Sequence, residues 1–221
     1  MAAPAPIPVL HEDPHLIVVS KPPGLLSVPE LAQRLAEQGI DAQPVHRLDR
    51  DVSGALLCAR DPATRKALEE LFRERAVSKT YWALVAGWMQ PSEGAHHFPL
   101  VEERGKARVS ARGRKALTRY RTLAVHATTT EVEIDLVTGR YNQIRVHFAH
   151  AGSPLVGERK YARGKDAPVG FRSRRVALHA WRLGFEHPVS GESLSVEAPL
   201  APDLERLLEK ARMADGAPPG T

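Results

Sequence analysis

The sequence predicts an α+β fold, with a mixed, largely antiparallel sheet flanked by helices and loops. Strand-like segments outnumber helical ones. Several of them follow one another with no helix between, whereas parallel strands need a long crossover. No internal repeat or clear linker interrupts the 221 residues, so one domain is expected over 10–212. Segments 1–9 and 213–221 are rich in Ala, Pro and Gly and read as frayed tails.

The elements follow from local pattern. His15-Leu16-Ile17-Val18-Val19-Ser20-Lys21 reads as a buried strand, stopped by Pro22-Pro23-Gly24. Glu30 to Gln38 reads as a short helix ending at Gly39. Residues 54–60 form a second buried strand. Asp61-Pro62 then opens a helix to about Ala76, with the aspartate at the cap and the proline in the first turn. Its Ala67, Leu68, Leu71 and Phe72 recur at helical spacing, while Arg65, Glu69, Arg73 and Glu74 take the outer face. Tyr81 to Ala86 is a strand ended by Gly87, and 101–116 has no period and is expected to be a mobile basic loop. Strands follow at 117–126 and 131–137. In the second, Glu131, Glu133 and Asp135 alternate with Val132, Ile134 and Leu136. Residues 142–151 fit either period, and Gly152, as a C-cap, favours a helix. Strands at 176–186 and 193–198 follow. A helix over 202–213 closes the chain, with Leu204, Leu207, Leu208 and Ala211 on one side.

Composition narrows the function. The lone cysteine, Cys58, lies in an apolar run, which rules out a disulfide framework within the chain and marks it as a core residue. The N-terminus lacks a basic region followed by an apolar stretch. No apolar segment reaches the ~20 residues that span a bilayer. A cytoplasmic monomer with no membrane partner is the expectation. The net charge of +5 is unevenly spread. Residues 102–121 hold eight Lys/Arg, among them Arg108, Arg112, Arg114 and Lys115, against Glu102 and Glu103. Residues 156–175 hold seven against Glu158 and Asp166, so the rest of the chain is acidic. A basic footprint confined to two segments points to a polyanion partner, with nucleic acid foremost; solvated loops are the alternative.

Several chemistries are excluded by motif. There is no phosphate loop ending in Gly-Lys-Ser/Thr, no Gly-x-Gly-x-x-Gly after a strand and no Cys-x-x-Cys pair. His147 and His150 are three apart without a nearby carboxylate ligand. No metal and no cofactor are expected. What remains is His46-Arg47-Leu48-Asp49-Arg50-Asp51-Val52-Ser53-Gly54, which sets Asp49 between two arginines ahead of an apolar run. Flanking guanidinium groups favour the ionised form of a carboxylate, which is then a candidate nucleophile. A structural ion pair or a turn cap fits the same local pattern. Asp49-Arg50-Asp51-Val52 also matches the Asp-x-Asp-x-Thr/Val of Mg²⁺-dependent phosphatases of the haloacid-dehalogenase type. There the motif ends an apolar strand, whereas here the apolar strand comes after the aspartate. Two further segments carry chemistry: Ser78-Lys79-Thr80-Tyr81, and Gly139-Arg140-Tyr141-Asn142-Gln143-Ile144-Arg145-Val146-His147, which groups two arginines and two amides around a glycine turn.

In this order, His-Arg-Leu-Asp-x-x-x-Ser-Gly, Lys-x-Tyr and Gly-Arg-x-x-Gln-Ile-Arg-x-His resemble the RluA family of pseudouridine synthases. With Leu16 to Leu25, Gly152 to Gly157 and Leu178-His179-Ala180, the resemblance covers most of the chain. It implies the pseudouridine-synthase fold with a basic central cleft, no cofactor, and isomerisation of uridine to pseudouridine in ribosomal or transfer RNA. It implies Asp49 as the catalytic aspartate, Tyr81 stacked on the flipped base, and Arg145 paired with Asp49. Arg47 would enter the RNA to displace the target uridine. His46, Lys79, Arg140, Asn142, Gln143 and Leu178 would line the substrate side, and the basic segments would hold phosphates in place of a separate S4-type domain. Val52, Asn142 and Glu158 depart from the Thr, His and Asp usual at their places, and none is expected to touch the three catalytic residues. An RNA-binding protein that kept the fold without catalysis is the alternative.

Overall fold

The computed structural model describes residues 5–162 and 173–214. The basic residues Arg163, Lys165 and Arg172 lie outside them. The chain divides into two compact units, each built from two stretches: Met1–Lys79 with Ala180–Leu200, and Thr80–His179 with Ala201–Thr221.

The first unit contains β1 (Val9–Glu12), β2 (Leu16–Lys21), α1 (Glu30–Glu37), β3 (Gln43–Pro44), β4 (Ser53–Ala59) and α2 (Pro62–Glu74). To these are added most of β11 (Leu178–Glu186) and all of β12 (Ser193–Glu197). Its strands are ordered β1-β2-β4-β11, with β3 on β4 and β12 on β11. The pairings of β2 with β1 and β4, of β3 with β4 and of β11 with β12 are antiparallel. All seven residues of β4 are buried, which explains its unbroken apolar run. One face of the strands, with Leu16, Val18, Leu57, Phe185 and Val196, packs with Leu68 of α2. The expected cap of α2 is present: the Asp61 carboxylate accepts from Thr64 N at 2.8 Å, with Pro62 at the first position. Cys58 is fully buried, and burial pushes its thiol up to about 12, as befits a core residue.

The second unit contains the rest of β5 (Ser78–Ala86), then β6 (Glu93–His96), β7 (Leu100–Glu103), β8 (Lys106–Val109), β9 (Thr118–Val125), β10 (Thr129–Leu136), α3 (Gln143–His150) and α4 (Pro202–Ala214). Its strands are ordered β5-β10-β9-β6, all antiparallel, and β7 and β8 form a separate hairpin. Among the described residues no helix is long and apolar enough to cross a membrane.

Three local expectations are corrected, and Glu131 has a setting that the alternation does not indicate. The stretch 101–116 is not a loop: β7 and β8 pair through Leu100↔Val109 to Glu103↔Lys106, and Leu100 also exchanges both backbone hydrogen bonds with Arg114. The turn at Arg104 and Gly105, both at positive φ, lets basic residues alternate on a paired ribbon. Residues 5–9 are not frayed, because Ile7 is buried, Ile7 N donates to Gln38 Oε1 at 2.9 Å, and Pro8 O accepts from Ser20 N. Glu131 is not on a solvated face. It is 8% exposed and accepts from Trp82 Nε1 at 2.7 Å, so an indole donor replaces water. The strand holding Tyr81 begins at Ser78, which moves Tyr81 from a strand end into its buried interior.

Gly54 shows why glycine follows the serine at the head of β4. Its φ is 119°, and an added Cβ would run into the Ala180 backbone. Gly54→Ala is expected to lower stability by about 3 kcal/mol or more, read as a lower urea midpoint with an unchanged slope.

Candidate active site

The turn carrying Asp49 is clamped from both sides. Lys21 closes β2 with its side chain fully buried, and its Nζ donates to Pro22 O at 2.8 Å, Leu25 O at 2.8 Å and Arg50 O at 3.1 Å. An ammonium has three donors, and three carbonyls satisfy it here. Arg50 O also accepts from Gly24 N at 2.8 Å, with Gly24 at φ +83°. On the other side, Ser27 Oγ accepts from Leu48 N at 2.9 Å and donates to Leu48 O at 3.2 Å. Val52 N closes the turn on Asp49 O at 3.1 Å. The residues before and after Asp49 are thus fixed, Leu48 and Val52 are buried, and Asp49 itself is half-buried beside an exposed Arg47. Lys21 and Ser27 were not singled out by any catalytic motif. The one signal was a lysine ending an apolar strand.

His46 faces inward. Its Nε2 accepts from Leu57 N at 3.0 Å, and its ring stacks on Phe72 at 4.6 Å. Burial, with the Lys79 charge adding to it, pushes the imidazole down to about 3. Only a neutral ring with the proton on Nδ1 can accept that backbone N–H.

In the second unit, Tyr81 of β5 pairs in register with Ile134 of β10 and is 8% exposed. The glycine turn ahead of α3 is organised by Gln143, which is 2% exposed and fully used. Its Oε1 accepts from Thr138 Oγ1 and Arg140 N, and its Nε2 donates to Leu117 O and Thr118 Oγ1. Asn142 sits in the left-handed region at φ 50°, which Asn tolerates better than most residues. Its Oδ1 accepts from Tyr161 OH at 2.7 Å and Lys160 Nζ at 3.1 Å. Both amides serve the protein's own framework. Arg140 donates through Nε to Lys115 O, Leu178 is buried, and Arg112, Arg114 and Lys115 are exposed along the basic stretch. Arg108 is exposed too, and pairs with Glu103 across the hairpin at 2.9 Å.

Arg145 projects from α3 and holds Glu158 in a two-pronged ion pair, Nε to Oε2 at 2.6 Å and Nη2 to Oε1 at 2.9 Å. This corrects the expectation that none of the departures touches the three residues expected to be catalytic: Glu158 contacts Arg145, and its side chain is fully buried. Tyr161 lies beside the pair, with the Arg145 guanidinium 5.5 Å from its ring centre. Burial raises the Tyr161 phenol above its usual range, so it stays a donor.

The surroundings of Asp49 do not fit the Asp-x-Asp phosphatase arrangement. The aspartate precedes β4, and the pairings of β4 with β2 and β3 are antiparallel.

Two stability measurements probe this site. Lys21→Met removes a donor from Pro22 O, Leu25 O and Arg50 O, of which Arg50 O keeps Gly24 N, and is expected to cost about 3 kcal/mol or more in urea unfolding. His46 binds its proton less well folded than unfolded. Its contribution is therefore complete above about pH 6.5 and lost as pH falls toward 3. Stability is expected to decline across that window, and His46→Gln to flatten the decline.

A family model for RNA pseudouridylate synthase matches residues 15–150. The dual-specificity RNA pseudouridine synthase RluA of Pasteurella multocida is 37% identical over 87% of this chain and 93% of its own length. The ribosomal large subunit pseudouridine synthase D of Xanthomonas campestris pv. campestris is 38% identical, over 96% of this chain and 72% of its own. Among solved structures, human RNA pseudouridylate synthase domain containing 4 superposes with a TM-score of 0.78 at 28% identity, covering 93% of each chain. Human RNA pseudouridylate synthase domain containing 1, at 23% identity and a TM-score of 0.76, shares the fold. The fold, the family model and these relatives agree, and the chain belongs to the RNA pseudouridylate synthase family.

Proposed function

We propose that this protein isomerises uridine to pseudouridine in ribosomal or transfer RNA, with Asp49 as the catalytic carboxylate. In this reading the bond from C1′ to N1 breaks, the base turns, and C1′ rejoins through C5. A proton leaves C5 and N1 gains one, so atoms and electrons balance within one nucleoside and no oxidant or reductant is consumed. Arg47, exposed ahead of the clamped turn, enters the RNA where the target base leaves the stack. Tyr81 stacks on that base and takes part in removing the C5 proton. The family resemblance gives Arg145 the role of partner to Asp49. The basic hairpin and the exposed Arg112, Arg114 and Lys115 hold phosphates, which positions RNA without reading its sequence. The protein works as a cytoplasmic monomer.

The observation that carries this reading is the rigid presentation of Asp49, in an intact Arg-Leu-Asp motif, within a chain whose family model spans that motif. Mapping pseudouridine across cellular RNA with and without the gene identifies the substrate. On that RNA, Asp49→Asn is expected to lose turnover by about a thousandfold or more while keeping RNA affinity within a few-fold. A protein that only binds RNA would show no turnover even as wild type. RNA affinity is expected to fall by about 10³ between 50 and 200 mM salt if roughly six phosphates are contacted, a slope that a binding titration series reads directly.

A further inference from the structure

We propose that Glu158 is a positioning residue for the reaction, and that through Lys160 and Tyr161 it fixes the aim of Arg145 to the basic hairpin β7–β8. The inference rests on the assignment of Arg145 to the reacting centre.

An arginine side chain carries about 2 kcal/mol of rotamer entropy, so a guanidinium that must meet a substrate-side group in one orientation has to be held. Glu158 does this geometrically. A bidentate pair fixes both the position and the plane of the guanidinium, and it uses Nε and Nη2. Arg145 retains 12% side-chain exposure while Glu158 has none, so the carboxylate supports the cation from beneath.

Glu158 is itself held. Its Oε1 also accepts from Lys160 N at 2.7 Å and Tyr161 N at 3.1 Å. The chain can fold back this tightly because Gly157 sits at φ +80°, where an added Cβ would strike the Arg175 carbonyl. The next two side chains then reach in two directions. Toward α3, Lys160 Nζ and Tyr161 OH both donate to Asn142 Oδ1, at the N-terminus of the helix that carries Arg145. Toward the hairpin, Lys160 Nζ donates to Gly105 O at 2.8 Å, and Tyr161 OH accepts from Ala107 N at 3.2 Å. Gly105 and Ala107 lie in the turn and in β8, among the basic residues proposed to hold phosphates. One short segment, 157–161, therefore ties the helix of Arg145, the guanidinium itself and the basic ribbon together.

A buried ion pair is weak evidence for stability, since apolar residues of similar volume often serve as well. Orientation is the better explanation of its presence here. Supporting groups that orient a reacting residue are worth roughly 10–100-fold in activity, and a misplacement of about 1 Å costs a similar factor.

The test uses the full chain and RNA extracted from cells lacking the gene, with pseudouridine formation and filter binding measured on the same RNA. Glu158→Gln, which keeps shape and loses charge, is expected to lower kcat by about 30-fold or more, with KM and Kd changed less than about threefold. Glu158→Asp, restoring the carboxylate, is expected to recover kcat to within about fivefold of wild type. Tyr161→Phe is expected to lower kcat about three- to tenfold at unchanged KM. A kcat within twofold of wild type in Glu158→Gln, parallel losses of kcat and RNA affinity, or no rescue by aspartate would overturn the positioning role. If Glu158→Gln lacks a cooperative melting transition, Tyr161→Phe decides: a kcat loss at unchanged KM supports the role, and any other pattern overturns it. Wild-type turnover is read separately. Its absence would overturn the enzymatic reading and this one with it, whereas wild-type turnover that Glu158→Gln leaves intact would overturn only the role of Glu158.

Discussion

A buried ammonium is the constraint on which the first unit's functional turn depends. Lys21 is fully buried, and its Nζ donates to three backbone carbonyls from two separate segments. A buried charge needs such partners, and these three tie the segment 22–25 to the turn after Asp49. Ser27 gives the same service to Leu48 with a neutral hydroxyl. The backbone on both sides of Asp49 is thus held by residues that precede it by more than twenty positions in sequence. Arg50 illustrates the division of labour: its carbonyl belongs to the clamp, while its guanidinium pairs with Glu30 at 3.0 Å in a more exposed setting.

The second unit uses charge differently. Arg145 and Glu158 are buried as a pair, and Arg175, 8% exposed, grips Asp203 at the start of α4 through a similar fork. Arg121 is bound two-pronged by Glu133, and Arg108 by Glu103, on exposed faces where such pairs contribute little to stability. Some of the arginines are therefore already paired within the chain, while Arg112, Arg114 and Lys115 are all exposed.

Much of this was legible in the sequence. The buried strands β2 and β4 show as continuous apolar runs, α2 as a helical period with its cap, and α3 as a helix once Gly152 is weighed against the alternating pattern. The arrangements that escaped are those set by distant partners. Residues 100–114 carry no alternation because the ribbon is exposed on much of its surface, and pairing there is fixed by backbone bonds to Leu100. Glu131 looks like a solvated strand position because nothing nearby in sequence announces Trp82. Glu158 looks like a harmless exchange for aspartate until the fold brings Arg145 to it across 13 residues. Gln143 shows the reverse: its place in a recognition-like cluster suggests a ligand, yet each of its amide atoms is already engaged within the chain.

The chain leaves the first unit after Lys79 and returns at Ala180. During synthesis, β4 emerges with β2 already made, but its other neighbour, β11, is translated only after nearly the whole second unit. At about 5–20 residues per second the delay is on the order of ten seconds. Through that interval a strand whose seven residues are all destined for the interior has one edge covered only at its far end, by β3. The nascent polypeptide is then at its most vulnerable to mispairing, and the burden falls on whatever shelters it at the ribosome exit.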